Sequence, residues 1–318
     1  MTWQTVRKAP ALLISLRAMT LQSQAGPSGR TPRHRTAPGG ILTADSTDIV
    51  TAHTLEVPGA RLHYEVRGQG PLIVLVGAPM DASAFAPLAD VLAADHSVLT
   101  TDPRGINRSK LDDPDQESTP LLRADDLSRL LAHLDAGPAA VLGSSGGAVS
   151  ALALTQSHPD QVHTVIAHEP PLAELLADRQ ELHAQTDDII ATYLTGDLIG
   201  AWTMFMIQAN ITLPTGAIEA MFGGVRDPQH VADEHRWFAH ELRATTHWQP
   251  DLTALRSAGT RIVVGIGDDS AEQQCDRTSQ ALAQALGIEP TSFPGGHTGF
   301  VENPDAFATR LRDVLRQN

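Results

Sequence analysis

Cysteine is almost absent from this chain of 318 residues, which contains only Cys275. A single cysteine excludes a disulfide within the chain and makes the reducing cytoplasm the expected compartment. Long apolar runs are also absent, because no segment approaches the roughly 20 consecutive apolar residues that a membrane-spanning helix requires. We therefore expect a cytoplasmic protein that does not act with a membrane.

Positive charge is scarce, since 23 Lys and Arg residues stand against 37 Asp and Glu residues, for a net charge of -14. A surface that binds nucleic acid needs an excess of Lys and Arg, so this composition argues against a nucleic-acid partner. Hydrophobic residues make up 42% of the chain, which is enough for one large core with an inserted subdomain. A small molecule is the expected partner, and assembly into a homodimer is left as an open alternative.

The N-terminal segment differs from the rest, because its first 44 residues contain six basic residues and no Asp or Glu. Residues 9–16 form a short apolar run typical of a signal peptide, but Arg17 interrupts it and no small-residue cleavage pattern follows closely. Residues 22–40 are rich in Gly, Pro, Ser and Arg and lack the apolar content of a packed core. We predict a disordered extension over residues 1–50, with translation from Met19 as an alternative.

Strand and helix patterns alternate from residue 54 onward. Residues 62–66 alternate in polarity and predict an antiparallel strand, followed by a hairpin turn at 67–71. Helical patterns at 85–94 and 121–134 separate continuous apolar segments of strand length at residues 72–76, 98–101 and 139–142, and further strands are predicted at 162–167 and 261–266. Continuous apolar strands are typical of a sheet covered on both faces, so we predict an α/β fold with a mostly parallel sheet and helices on both faces.

Residues 171–248 interrupt this alternation, since they contain only helical patterns, including 173–186, 188–193 and 201–208. A helical block inserted between two strands forms a cap over the carboxyl edge of the sheet, where ligands of open α/β folds bind. We therefore predict an α/β core of residues 51–170 and 249–318 and a helical cap of residues 171–248.

A Gly-Ser-Ser-Gly-Gly motif at residues 143–147 lies between an apolar strand and a helix of small residues. A nucleophilic serine on a strained strand-to-helix turn needs glycines two positions before and two positions after it, because side chains there would clash. Ser145 satisfies this spacing, whereas centring the motif on Ser144 would place Leu142 where a glycine is needed. We predict Ser145 as the nucleophile; a glycine-rich turn without chemistry is the alternative.

A serine hydroxyl becomes a good nucleophile only when a base removes its proton. Among 14 histidines, His297 lies in a Gly-rich loop between a predicted last strand at 290–293 and a predicted helix at 304–316, which suits a triad base. The cap histidines at 230, 235 and 240 recur every five residues, unlike the i, i+4 pair of a helical metal site. We predict neither a metal nor a cofactor.

The acid that orients the histidine usually follows the penultimate strand in serine hydrolases of this layout, and here Ser270 occupies that position. Asp268 and Asp269 are adjacent and could serve through a shifted loop. Glu169, at the end of the strand after the nucleophile, could instead reach the histidine from the other side and stabilise its imidazolium. A helix-capping role is the alternative for Glu169, but we favour it as the acid.

An oxyanion hole requires two backbone N–H groups directed at the developing negative charge. Gly146 supplies one by its position after the nucleophile, and the second is expected from the loop at residues 77–80. Because Pro79 has no N–H, Ala78 is the predicted donor, although the loop could be an ordinary turn. We predict that Met80 in this loop and the cap residues Phe205 and Phe238 contact an apolar substrate.

These motifs resemble the α/β-hydrolase superfamily from about residue 54 onward, and within it the zearalenone lactonase group, which opens a fungal resorcylic macrolactone. The likeness is carried by the motifs at residues 143–147, 168–170 and 293–297 together with 301–305. The resemblance implies an α/β-hydrolase fold and a glutamate as the triad acid, which Glu169 matches. It also implies that Trp237 contacts the substrate.

The predicted function is hydrolysis of a carboxylic ester or lactone through an acyl-enzyme on Ser145, with a hydrophobic, partly aromatic substrate such as zearalenone. A general carboxylesterase, a carbon–carbon bond hydrolase and a non-catalytic ligand-binding protein of the same fold are the alternatives. Epoxide hydrolases and haloalkane dehalogenases are disfavoured, because they need an aspartate at the position of Ser145.

Overall fold

The computed structural model describes residues 50–317. The predicted N-terminal extension, apart from Val50, lies outside the described residues. Within them, one nine-stranded sheet has the order β1-β2-β4-β3-β6-β7-β8-β9, and β5 pairs with β2. Its strands are β1 (Thr51–Val57), β2 (Ala60–Arg67), β3 (Leu72–Val76), β4 (Ser97–Thr101), β5 (Lys110–Leu111), β6 (Ala139–Ser144), β7 (Val162–His168), β8 (Arg261–Gly267) and β9 (Thr291–Phe293).

Helices connect the strands on both faces of the sheet. They are α1 (Ala82–Leu92), α2 (Pro120–Leu134), α3 (Gly146–Ser157), α4 (Arg179–Leu194), α5 (Leu198–Gln208), α6 (Ala217–Phe222), α7 (Pro228–His240), α8 (Leu242–Thr246), α9 (Leu252–Ser257), α10 (Gln274–Leu286), α11 (Gly299–Glu302) and α12 (Pro304–Arg316). In the described part of the chain, no helix combines the length and the apolar content that a membrane crossing requires.

In the sheet order β4-β3-β6-β7-β8-β9 each strand is parallel to the next, whereas β2 is antiparallel to β1, β4 and β5. Side chains of β3 alternate between the two faces: Val74 packs in the cluster that contains Leu127 of α2, and Leu75 packs in the cluster that contains Phe85 of α1 and Phe307 of α12. Because both faces of β3 are covered, the sequence of this strand is a continuous apolar run. The predicted α/β fold with a mostly parallel sheet and helices on both faces is confirmed.

The predicted hairpin after β2 is wrong. The hairpin instead joins β1 to β2 through a turn that contains Gly59, whose φ is 75°. The segment at residues 67–71 leads into β3, and β4 lies between β2 and β3. Alternating polarity indicates that a strand has one exposed face, but it does not specify which strand pairs with it.

All elements between residues 171 and 248 are helical. A 3-10 turn (Ala173–Leu175) is followed by α4, which runs unbroken where two shorter helices were predicted. The helices of this segment, which we call the cap, share a hydrophobic cluster that includes Ile189, Trp202, Phe222 and Phe238. The cap therefore has an apolar core of its own between β7 and β8.

A buried ion pair joins the loop after β4 to α2. The Arg104 guanidinium donates from Nε and Nη2 to the two carboxylate oxygens of Asp126 at 2.7 and 2.6 Å. Nη1 of Arg104 donates to Gln116 at 2.7 Å, so three of its donor groups are satisfied. Arg104 is 1% exposed, so its charge is stabilised by Asp126 and not by water.

We expect Asp126→Ala to lower the free energy of unfolding by about 3 kcal/mol, because it leaves Arg104 buried without its counter-charge. The control is Asp125→Ala on the same helix, which removes only an exposed pair with Arg129 worth about 0.5 kcal/mol. Urea unfolding at neutral pH measures both values. Equal losses in the two variants would contradict the role of the buried pair.

Candidate active site

The turn between β6 and α3 holds Ser145 in an unusual backbone conformation, with φ 57° and ψ -127°. A non-glycine residue rarely adopts such angles unless surrounding contacts impose them. One such contact is the Ser145 N–H, which donates to the carbonyl oxygen of His168 at the end of β7 at 2.9 Å. The turn thus has the strained strand-to-helix geometry that the sequence analysis expects of a nucleophile at Ser145.

Neighbouring backbone explains the glycines around Ser145. A Cβ on Gly143 would lie 2.4 Å from the Gly147 carbonyl oxygen, and a Cβ on Gly147 would lie 2.1 Å from the Val76 carbonyl oxygen. A Cβ on Gly146 would lie 2.5 Å from the Ala78 carbonyl oxygen. These approaches leave no room for a side chain, and they place Gly146 directly against the loop that was predicted to supply the second oxyanion donor.

Glu169 and His297 are brought together from distant parts of the chain. Nδ1 of His297 is 2.6 Å from Oε2 of Glu169. Glu169 follows β7 and has no exposed surface, and the Gly267 N–H at the end of β8 donates to its Oε1 at 2.8 Å. The His297 side chain is 23% exposed, so the pair has one buried member and one that solvent can reach.

Burial alone would raise the pKa of Glu169, but the hydrogen bond from His297 and its nearby charge outweigh burial and hold the pKa well below its usual value. Glu169 is therefore an anion at neutral pH. Sequence analysis missed a third contact, in which the Cys275 thiol donates to Oε2 at 3.2 Å. Burial and the charge of Glu169 raise the pKa of Cys275 well above its usual value, so the thiol keeps its proton.

Glu169, Cys275 and His297 also form a group whose ligand atoms lie within 4.8 Å of one another, which is the spacing of a metal site. It is the one such group that we find among residues 50–317. A metal would require the Cys275 thiolate, and the raised pKa of Cys275 disfavours that form. The chemistry of these groups therefore fits a hydrogen-bonded array better than a metal site.

The alternative acids lie elsewhere in the same region. The Asp268 carboxylate accepts from the Ser292 hydroxyl, and the Asp269 N–H donates to the Gly295 carbonyl oxygen at 2.9 Å. Ser270, at the position where the sequence analysis expected an acid, is fully buried. The carboxylate that accepts the hydrogen bond from His297 Nδ1 is that of Glu169.

His168, which precedes Glu169, is fully buried behind the nucleophile turn and was not anticipated from the sequence. Its Nδ1 lies 3.2 Å from the Ser144 hydroxyl. Its ring makes edge contacts with Phe293 and Phe307, with centroid distances of 5.7 and 5.4 Å. Burial lowers the pKa of His168 to about 4, so its imidazole is neutral at pH 7.

The predicted substrate contacts differ in their accessibility. Trp237 and Phe205 are partly buried and pack edge to face in the cap with a centroid distance of 5.0 Å. Met80 is 5% exposed and packs with the core cluster of Phe85. Phe238 needs correction, because its ring has no exposed surface and packs inside the cap. An apolar pattern does not distinguish a side chain that lines a pocket from one that fills the core behind it.

Comparisons with known proteins identify the family of the chain. A family model described as the alpha/beta hydrolase family matches residues 72–310. The chain is 35% identical over 269 residues to the uncharacterized hydrolase YraK of Bacillus subtilis (strain 168), covering 83% of this chain and 96% of that protein. It is 28% identical over 278 residues to the zearalenone hydrolase of Bionectria ochroleuca, covering 84% and 99%.

Among solved structures, the fold is similar to that of Est816, which is described as an N-acyl homoserine lactone degrading enzyme. The TM-score is 0.62 with 22% sequence identity, and the match covers 82% of this chain and 99% of that one. At this identity the likeness concerns the fold alone.

Acid should destabilise the protein, because folding lowers the pKa of His168 from its usual 6.5 to about 4. Between these values the unfolded chain binds a proton that the folded protein does not, so the stability present above pH 6.5 is lost as the pH falls. The lowered pKa of Glu169 acts in the same direction. From His168 alone we expect a loss of about 3 kcal/mol in the free energy of unfolding between pH 7 and pH 4.

Urea unfolding at a series of pH values measures this loss. His168→Gln should reduce the slope of the free energy of unfolding against pH between pH 6.5 and pH 4.5. His133→Gln, a change at an exposed histidine of α2, should leave this slope unchanged. Identical slopes in wild type and His168→Gln would show that His168 is not the responsible group.

Proposed function

The chain belongs to the alpha/beta hydrolase family, and on that basis we propose that it hydrolyses a carboxylic ester or lactone through an acyl-enzyme on Ser145. The observation that carries the proposal is the 2.6 Å hydrogen bond between His297 and the buried Glu169, at the sheet edge where Ser145 occupies its strained turn. A nucleophile, a base and an anionic acid are the three groups that acyl transfer through a serine requires.

In the proposed reaction, the Ser145 hydroxyl attacks the substrate carbonyl carbon while Nε2 of His297 takes the hydroxyl proton. The negative charge that develops on the carbonyl oxygen is stabilised by the N–H groups of Gly146 and Ala78. The carbon–oxygen bond of the ester then breaks, and His297 gives its proton to the leaving alkoxide. Water attacks the acyl-enzyme by the same route and releases the acid together with free Ser145. With a lactone, the alcohol and the acid remain in one molecule.

Glu169 has two effects in this scheme. By accepting the hydrogen bond from Nδ1, it keeps the proton of neutral His297 on that atom and leaves Nε2 free as the base. Its negative charge then stabilises the imidazolium that forms during attack. Within residues 50–317, no hydrogen bond yet joins the Ser145 hydroxyl to His297, and such catalytic contacts often tighten only when a substrate is bound.

For the substrate, we propose a hydrophobic, partly aromatic lactone such as zearalenone. Two observations support this choice. The cap holds a stack of aromatic rings in which Trp237, partly buried, packs on Trp202 with a centroid distance of 5.2 Å. In addition, a relative 28% identical to this chain is named zearalenone hydrolase. We propose Trp237 as a substrate contact, because a partly exposed indole can pack against an aromatic ring.

Glu169→Gln should lower kcat/KM by up to about 10⁴-fold, because the neutral amide no longer stabilises the imidazolium or selects the correct tautomer. Asp268→Asn and Asp269→Asn are the matched controls and should stay close to wild type. Hydrolysis of p-nitrophenyl butyrate measures all three variants. A large loss confined to Asp269→Asn would show that the acid is assigned wrongly.

The substrate class is tested by comparing zearalenone, an N-acyl homoserine lactone and short p-nitrophenyl esters. We expect ring opening of zearalenone by the wild type and none by Ser145→Ala. Activity confined to the p-nitrophenyl esters would contradict the lactone proposal. Failure of a fluorophosphonate probe to label Ser145 would contradict the serine mechanism and favour a ligand-binding protein.

A further inference from the structure

A contact that the proposed reaction does not use joins the cap to the core close to the candidate active site. Asp233, on the cap helix α7, accepts the backbone N–H of Asn107 through Oδ1 at 2.8 Å. Asn107 belongs to the core loop after β4, so this hydrogen bond crosses the boundary between core and cap. Gln229, one turn earlier on α7, donates to the same oxygen at 2.9 Å. The Asp233 carboxylate therefore accepts one hydrogen bond from its own helix and a separate one from the core.

The side chain of Asn107 extends this contact toward the oxyanion loop. Its Nδ2 donates to Oδ2 of Asp81 at 2.6 Å, and Asp81 caps the N-terminus of α1 by accepting the Ser83 N–H at 2.9 Å. Asp81 follows the candidate oxyanion donor Ala78 by three residues. Hydrogen bonds thus run from Asp81, directly after the loop of Ala78, through Asn107 to the cap helix.

The core side of this contact is rigid. Asp102 has no exposed surface and accepts the N–H groups of Ala82 and Arg108 at 2.9 and 3.1 Å. These bonds hold both neighbours of the contact, since Ala82 follows Asp81 and Arg108 follows Asn107. Asn107 has a φ of 48°, in the left-handed region that asparagine tolerates better than most residues. The position of the Asn107 N–H is therefore set by the core before the cap binds it.

On the cap side, Trp237 is four residues after Asp233, which places the two residues on the same face of α7. The Trp237 ring packs with Phe205 and Trp202 at 5.0 and 5.2 Å. Because helix and aromatic cluster are packed as one unit, the contact of Asp233 with the core is one of those that set the position of Trp237 relative to the oxyanion loop.

We propose that Asp233 and Asn107 are positioning residues that set the spacing between the cap and the oxyanion loop and so determine specificity for bulky aromatic substrates. The inference rests on the proposed function, in which Trp237 contacts the substrate. A bulky substrate that reaches both Trp237 and the oxyanion donors should depend on this spacing. A small ester that reaches only the oxyanion donors should not, so losing the contact should raise KM for bulky substrates selectively.

The experiment compares Asp233→Ala, Asn107→Gly and Gln229→Ala. Asp233→Ala removes the contact with the core, and Asn107→Gly removes the link to Asp81 while glycine accepts the same φ without strain. Gln229→Ala is the matched control, because it removes a bond to Asp233 without affecting the core. We expect Asp233→Ala to raise KM for p-nitrophenyl 4-phenylbutyrate about tenfold, and Asn107→Gly to act in the same direction. Values of kcat/KM for p-nitrophenyl acetate should change less than about twofold.

Equal losses on both esters in Asp233→Ala, or the same KM change in Gln229→Ala, would overturn the inference. Hydrogen exchange of residues 228–240 tests the contact independently of the proposed function, because this measurement does not require enzymatic activity. Faster exchange in Asp233→Ala but not in Gln229→Ala supports the contact even if the wild type hydrolyses no ester, in which case only the proposed function fails. Unchanged exchange in Asp233→Ala would overturn the contact whatever the activity.

Discussion

The hydrogen bond between the buried carboxylate of Glu169 and His297 is the interaction on which the candidate site depends. A buried carboxylate is costly unless it is well partnered, and Glu169 accepts hydrogen bonds from His297, from the Gly267 N–H and from the Cys275 thiol. These three donors follow β9, end β8 and begin α10. The parallel order of β7, β8 and β9 is therefore what makes an anion possible at this position.

Burial and the charge of Glu169 together set the protonation of its neighbours. Burial first, and then the charge of Glu169, raise the pKa of Cys275, so the thiol keeps its proton and remains a hydrogen-bond donor. His168, one residue away, stays neutral because burial lowers its pKa to about 4, more than the charge of Glu169 raises it. Because His168 beside Ser144 is neutral, the turn that holds Ser145 packs in an apolar setting. The negative charge of Glu169 then interacts with His297.

Under the proposed function the cap adds selectivity, and within residues 50–317 it supplies none of the hydrogen bonds to Glu169. Its aromatic cluster is held together by contacts within the cap, while its position over the core depends on polar contacts such as that between Asp233 and Asn107. Under the proposed function, the core supplies the chemistry and the placement of the cap helps decide which acyl groups reach it. Acyl transfer and substrate choice can then be changed by different residues.

The sequence by itself determined the parallel α/β fold and the turn around Ser145, because apolar runs and closely spaced glycines are local signals. It also singled out Glu169 and His297, each at the end of a recognisable strand. Only the tertiary structure decided that Phe238 is enclosed, that Cys275 contacts Glu169 and that Asp233 binds the core. Such contacts join residues far apart in the chain, and their existence depends on how the elements pack, which no local pattern encodes.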